Sequence, residues 1–295
     1  WVNRAWERFF GVGLSKTTEN LGTQAEFPSN PELLDWLATE FVRLGWDMKA
    51  LQKAIVMSAT YRQSSTLSQE LVELDPENRL LARGPRFRLS GEMVRDQALA
   101  ASGLLVRKVG GSSVRPYMPD GVWDETSKYG NLRNYQADKG EGLYRRTLYT
   151  IWKRTAAPPT LLLFDSPSRE TCTIKRSRTN TPLQALALLN EVTFVEAARK
   201  LAERMLTEGG NTPESRIKHG FLLATSRPPT DEELQVLLQG LARDLERFHH
   251  DPASAQKLLA SGQSPAQADL PTPELAAYTM TANILLNLDE TITRE

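Results

Sequence analysis

Thr181 to Leu206 reads TPLQALALLNEVTFVEAARKLAERML, and this stretch decides the fold class. Thr181 can accept a hydrogen bond from a free backbone N–H at the start of a helix. Pro182, with φ fixed near the helical value and no N–H to satisfy, suits the first turn. Leu183, Leu186, Leu189, Val195, Ala198, Leu201 and Met205 then recur at helical spacing until Gly209-Gly210, with a kink or break expected near Asn190. Downstream, Thr212-Pro213 opens another helix, and Thr230 with Glu233 forms a capping box ahead of Leu234, Leu237, Leu241 and Leu245. Ser254 to Pro273 is rich in Ala, Ser, Gln, Gly and Pro and reads as a mobile linker or loop, after which Pro273 opens a last helix.

Upstream the pattern is also helical. A first helix stops at Gly11-Val12-Gly13. A second is capped by Ser29 or Asn30 with Pro31 in its first turn and ends at Gly45, and a third is capped by Asp47 and runs to Tyr61. Ser90 to Leu105 returns to helix. Pro85 to Leu89 and Leu143 to Trp152 alternate as short strands do, while glycines and prolines between Gly110 and Pro159 exclude a long helix there. The expected fold is mainly α: a helical domain with a small β element and long loops in the middle, at about residues 85–180. Residues 1–207 form the helical region that carries this insert, and 208–295 form a C-terminal helical region packing on it within one domain.

Composition excludes several functions. The 36 basic and 36 acidic side chains cancel, which argues against a general nucleic-acid partner. Cys172 is the single cysteine, so an intrachain disulfide, a thiolate zinc cluster and paired-cysteine haem attachment are ruled out. His219 stands alone, and adjacent His249 and His250 point to different helix faces, so no metal site and no cofactor are expected. No run of about 18 apolar residues could span a membrane. Without an initiator methionine, and with Trp1 already inside an amphipathic pattern, the sequence reads as a segment of a longer chain.

Several motifs carry a family resemblance: Asn3-Arg4-Ala5-Trp6, Pro31 to Leu37, Ser58 to Ser64, Leu143-Tyr144-Arg145-Arg146 with Trp152-Lys153-Arg154, Phe164-Asp165 with Arg169-Glu170, and Arg178 to Leu186. With the ending Asn287-Leu288-Asp289-Glu290, they make nearly the whole chain resemble the uncharacterised C-terminal domain of planctomycete proteins that also carry a cytochrome c-like domain. Ser177 and Glu191, where proline and aspartate are expected, are mild departures. The resemblance implies export to the periplasm or outside the cell, and partnership with other domains of the parent protein. It implies no reaction.

Function is best sought between Leu143 and Asn180, where eight basic side chains face two acidic ones, a local charge of +6. Arg145, Arg146, Lys153, Arg154, Arg169, Arg176 and Arg178, with Trp152 and Asn180, can present guanidinium forks and an aromatic face to an acidic polysaccharide. The competing reading has Asp165 and Glu170 pairing with Arg169 and Arg178 merely to fix the loops. Cys172 reads as a small buried hydrophobe rather than a nucleophile. The chain is thus expected to be a non-catalytic binding or assembly module. Two alternatives stand beside it: a glycan-active enzyme using Asp120, Asp124 and Glu125 near Trp123 and Tyr117, and a docking surface for the cytochrome-like domain.

Overall fold

The helix expected from Thr181 forms in two pieces, because Glu191 takes an extended backbone conformation (ψ 138°) and caps the second piece with its own side chain. The computed structural model in which this is seen describes residues 1–123, 135–153 and 155–294. The protein is mainly α, with a two-stranded β element, and divides into two compact units. One comprises Trp1–Arg88, Cys172–Arg176 and Thr293–Glu295; the other comprises Leu89–Thr171 and Ser177–Ile292.

The first unit holds α1 (Val2–Phe10), α2 (Pro31–Arg43), α3 (Met48–Val56) and α4 (Gln69–Leu74). Asn30 accepts from Leu33 N and Asp47 from Lys49 N and Ala50 N, so both expected caps form. The third helix, however, stops at Val56, short of Tyr61. The short α4, capped by Ser68, lies in a stretch whose polarity concealed it. Trp6 stacks on Phe10 at 4.0 Å, and Leu37, Phe41, Leu51 and Ile55 complete a small core. Strand β1 (Phe87–Arg88), within the expected Pro85 to Leu89 strand, pairs antiparallel with β2 (Thr293–Arg294). The Arg294 guanidinium lies against the rings of Phe9, Tyr61 and Phe87.

In the second unit come α5 (Gly91–Ala101), α6 (Glu141–Tyr144), α7 (Pro159–Leu163), α8 (Pro182–Asn190), α9 (Val192–Glu208), α10 (Pro213–Thr225), α11 (Asp231–His250), α12 (Pro252–Leu259), α13 (Thr272–Asn287) and α14 (Asp289–Ile292). Helices α9 and α13 form the central pair, and α8 and α10 pack on both of them. Small side chains (Ala197, Ala198, Ala202, Ala276, Ala277, Ala282) are fully buried, so the packed backbones approach closely. Apolar residues occur round most of α13, as a helix largely enclosed by its neighbours requires, with Ile284 left exposed.

Two expectations are overturned here. Leu143 to Trp152 is not a strand: α6 and a 3₁₀ turn (Thr147–Tyr149) occupy it, with isolated backbone bridges at Arg145 and Thr150. The Asp96 carboxylate takes Thr147 N at 2.7 Å and its hydroxyl at 2.6 Å, so a side chain stands where a ladder partner would. Ser254 to Pro273 is no mobile linker either. Pro252–Leu259 is helix, capped by Asp251, and the following loop is held to α9 by buried charge.

Arg199, with no exposed surface, lies between Glu196 (3.8 Å) and Glu203 (3.3 Å) of its own helix and donates to the carbonyls of Ser264 (2.6 Å) and Ser261 (3.4 Å). Glu196 in turn accepts from Ser264 N and the Tyr144 hydroxyl. At Gly262, φ is +83° and a Cβ would meet the Glu196 carboxyl carbon at 2.2 Å, so glycine is required there. Replacing Arg199 by Ala leaves buried Glu196 without a countercharge and Glu203 with Lys200 alone, and frees the loop. Urea denaturation should show a loss of about 3–5 kcal/mol, and limited proteolysis should newly cut within 261–267.

Candidate functional site

The predicted basic residues have different fates. Arg145 is buried, its guanidinium 3.8 Å over the Tyr149 ring and bonded to the carbonyls of Lys108, Gly110 and Ser112. It fixes the turn at Gly110-Gly111, where both φ values are positive. Arg146 is half exposed and 3.5 Å from Asp96. Lys153 sits 5.0 Å from the centre of the Trp123 ring. Arg154 lies outside the described residues. Arg176 belongs to the first compact unit and Arg178 to the second, and each has an interaction partner. Asn180 is exposed just before Thr181, which caps α8 as expected. Asp165 accepts from the backbone and hydroxyl of Thr179, at 2.6 and 2.9 Å.

Trp152 and Arg169 are brought together. The indole Nε1 donates to Ser168 O at 2.9 Å, which fixes the ring, and the Arg169 guanidinium lies 4.5 Å from the ring centre. Ser168, Arg169 and Glu170 are exposed. Cys172 is exposed too, which corrects the expectation of a buried thiol: the loop that carries it has no core to face.

The aromatic residues beside the loop carboxylates are already engaged. Trp123 is buried and donates from Nε1 to Ala156 O at 3.3 Å, and the Tyr117 hydroxyl accepts from Gln263 N at 2.7 Å. Asp120 is exposed, while Asp124 and Glu125 lie outside the described residues. Among the described residues, no group of three or more His, Cys, Asp or Glu is placed to hold a metal ion, and no helix is long and apolar enough to cross a membrane.

Sequence reading missed a concave site in the second unit, a small cleft partly open to solvent. Pro116, Pro119, Pro158, Pro159, Leu161 and Phe194 supply apolar wall, and Arg95, Thr150 and Glu191 supply polar groups. Arg95 is buried on α5. Its Nη1 donates to Arg145 O (3.0 Å) and Thr147 Oγ1 (3.1 Å), and its Nη2 to Leu143 O (2.6 Å). Its Nε and the Thr150 hydroxyl are buried without a partner. The Glu191 carboxylate accepts from Thr193 N and Thr193 Oγ1, both at 3.1 Å. Burial still raises its pKa, against the opposing pull of the Thr193 donors and Arg95. One signal was legible: Arg95 shares a helix face with Leu99, four residues on, where a solvated arginine has no place.

The model of a family described as PSD1, a protein of unknown function (DUF1553), matches residues 1–241. The chain belongs to that family. No curated protein matches it, and no solved structure does. The DUF1553 match takes in every predicted site residue and every residue of the cleft, and stops within α11.

A carboxyl whose pKa is raised on folding binds its proton more tightly in the folded chain, so stability falls as pH rises from the unfolded value toward the folded one. For Glu191 that window opens at about 4.5 and extends upward. Glu191→Gln, which keeps an acceptor for Thr193 and cannot ionise, should gain stability relative to the unaltered chain as pH is raised from 4.5 to 8. Thermal melts across that range measure the difference.

Proposed function

We propose that this DUF1553 chain is a non-catalytic binding module that holds an anionic glycan at Trp152 and Arg169. The observation that carries the reading is the stacked pair itself. The guanidinium is stacked on an indole that is anchored by its own hydrogen bond, so its donors meet a carboxylate or sulfate with little ordering cost. The half-exposed indole adds apolar surface for a sugar ring.

A binding role also accords with the engagement of Trp123 and Tyr117 inside the fold, which takes from the hydrolytic alternative the aromatic residues it relied on. On this reading the module serves a larger exported protein, whose other domains, a cytochrome c-like one among them, are its further partners. Family resemblance supports that last step.

Arg169→Ala should weaken binding of polygalacturonate or a sulfated glycan roughly tenfold or more, the scale of one charge-assisted hydrogen bond. The melting temperature should barely move, since an exposed stack of this kind contributes about 0.5–1 kcal/mol. Affinity should also fall as salt is raised. Unchanged affinity in the variant, or no binding by the parent chain at low salt, defeats the proposal.

A further inference from the structure

The proline-lined cleft poses a separate question, because its polar groups are incompletely used. Arg95 is 6% exposed and Thr150 6%, yet Arg95 Nε and Thr150 Oγ1 have no hydrogen-bond partner. Guanidinium stays protonated in proteins, so Nε–H is an obligatory donor, and a buried donor without an acceptor is a standing cost to the fold. Such a group calls for an explanation; at Arg145 and Arg199, which also leave Nε without an acceptor, the fold itself supplies one. Arg95 and Thr150 instead line one concavity, their two unpartnered atoms lying beneath its surface, together with a carboxyl that burial inclines to keep its proton.

From this arrangement we infer that the cleft binds the carboxylate of a compact ligand, with Arg95 and Thr150 donating to the ligand's oxygens and the proline and Phe194 walls covering its apolar body. Each polar group fits that role. Arg95 supplies charge and a donor, and its Nη1 and Nη2 bonds to Arg145 O, Thr147 Oγ1 and Leu143 O hold it rigidly in place. Thr150 supplies a second donor. Glu191 would repel an anion if ionised but donates to it when protonated, so binding draws a proton onto Glu191. The Thr193 donors and Arg95 face that carboxyl and pull the other way, favouring its ionised form. Arg95 Nε and the Thr150 hydroxyl lie beneath the cleft surface, shut off from water, so entry of the ligand requires the surrounding side chains to part. The walls suit rings or short aliphatic chains, and a carboxylate on such a body comes from a uronic acid or from a small organic acid.

Titration of the 295-residue chain with glucuronate and with benzoate, using glucose and benzamide as uncharged controls, tests the site and separates its two ligand sources. Saturable binding of either acid, stronger at pH 5.5 than at 7.5 and absent for its control, is expected. Thr150→Val keeps the side-chain shape and removes the donor, so it should weaken binding about tenfold or more. Without ligand the same change should leave the melting temperature unchanged or raise it, because a buried hydroxyl lacking a partner has been removed. Glu191→Gln should retain binding while flattening its pH dependence. Trp152→Ala should leave it intact, which separates this cleft from the glycan platform. Failure of both acids to bind, or equal affinity in Thr150→Val, overturns the inference.

Discussion

The second unit depends on one buried guanidinium. Arg199 draws its countercharges from positions three before and four after it on the same helix, so the pair α9 and α13 can be enclosed without leaving a bare charge inside. Taking these ions out of water costs several kcal/mol each, and direct attraction alone does not offset that reliably. Hydrogen bonds do the remainder: loop carbonyls on Arg199, and Ser264 N and Tyr144 on Glu196. The charge therefore specifies where the loop after α12 must lie, in addition to the apolar contact that Leu270 makes with the core.

The same arrangement reaches the cleft. Tyr117 lines it, and its hydroxyl is held by the backbone N–H of Gln263, next to the glycine that must approach Glu196. Burial holds the phenols of Tyr117 and Tyr144 well above their ordinary pKa, so both act as neutral hydrogen-bonding groups at any ordinary pH. One wall of the concavity is thus referenced to the central helix through a loop more than a hundred residues downstream in sequence.

Local chemistry was readable and distant chemistry was not. Asn30, Asp47, Thr181, Thr212 and Thr230 all cap helices as their sequence positions indicate, because a cap is settled within three or four residues. Leu143 to Trp152 misled because apolar and polar side chains alternate along it, while its backbone partner at Thr147 is a carboxylate from α5. The linker misled for a similar reason, since composition cannot disclose an arginine waiting 62 residues away. In the candidate site, the stacking of Arg169 on Trp152 came from residues already singled out, whereas Arg145 proved to be a scaffold for a glycine turn. Arg95 and Glu191 went unseen because each has an ordinary local explanation, as a helix residue and as a cap.

The small sheet has a temporal meaning. Its register joins Arg88 to Thr293, so the first unit is closed by a strand that follows nearly the whole second unit in the chain. During synthesis the N-terminal helices can gather their own core early, but their last strand arrives only after the intervening segment has been made. Contacts of such long range slow folding far more than they weaken the finished structure. The N-terminal unit is therefore the part most exposed to mispairing and to chaperone capture while translation is under way.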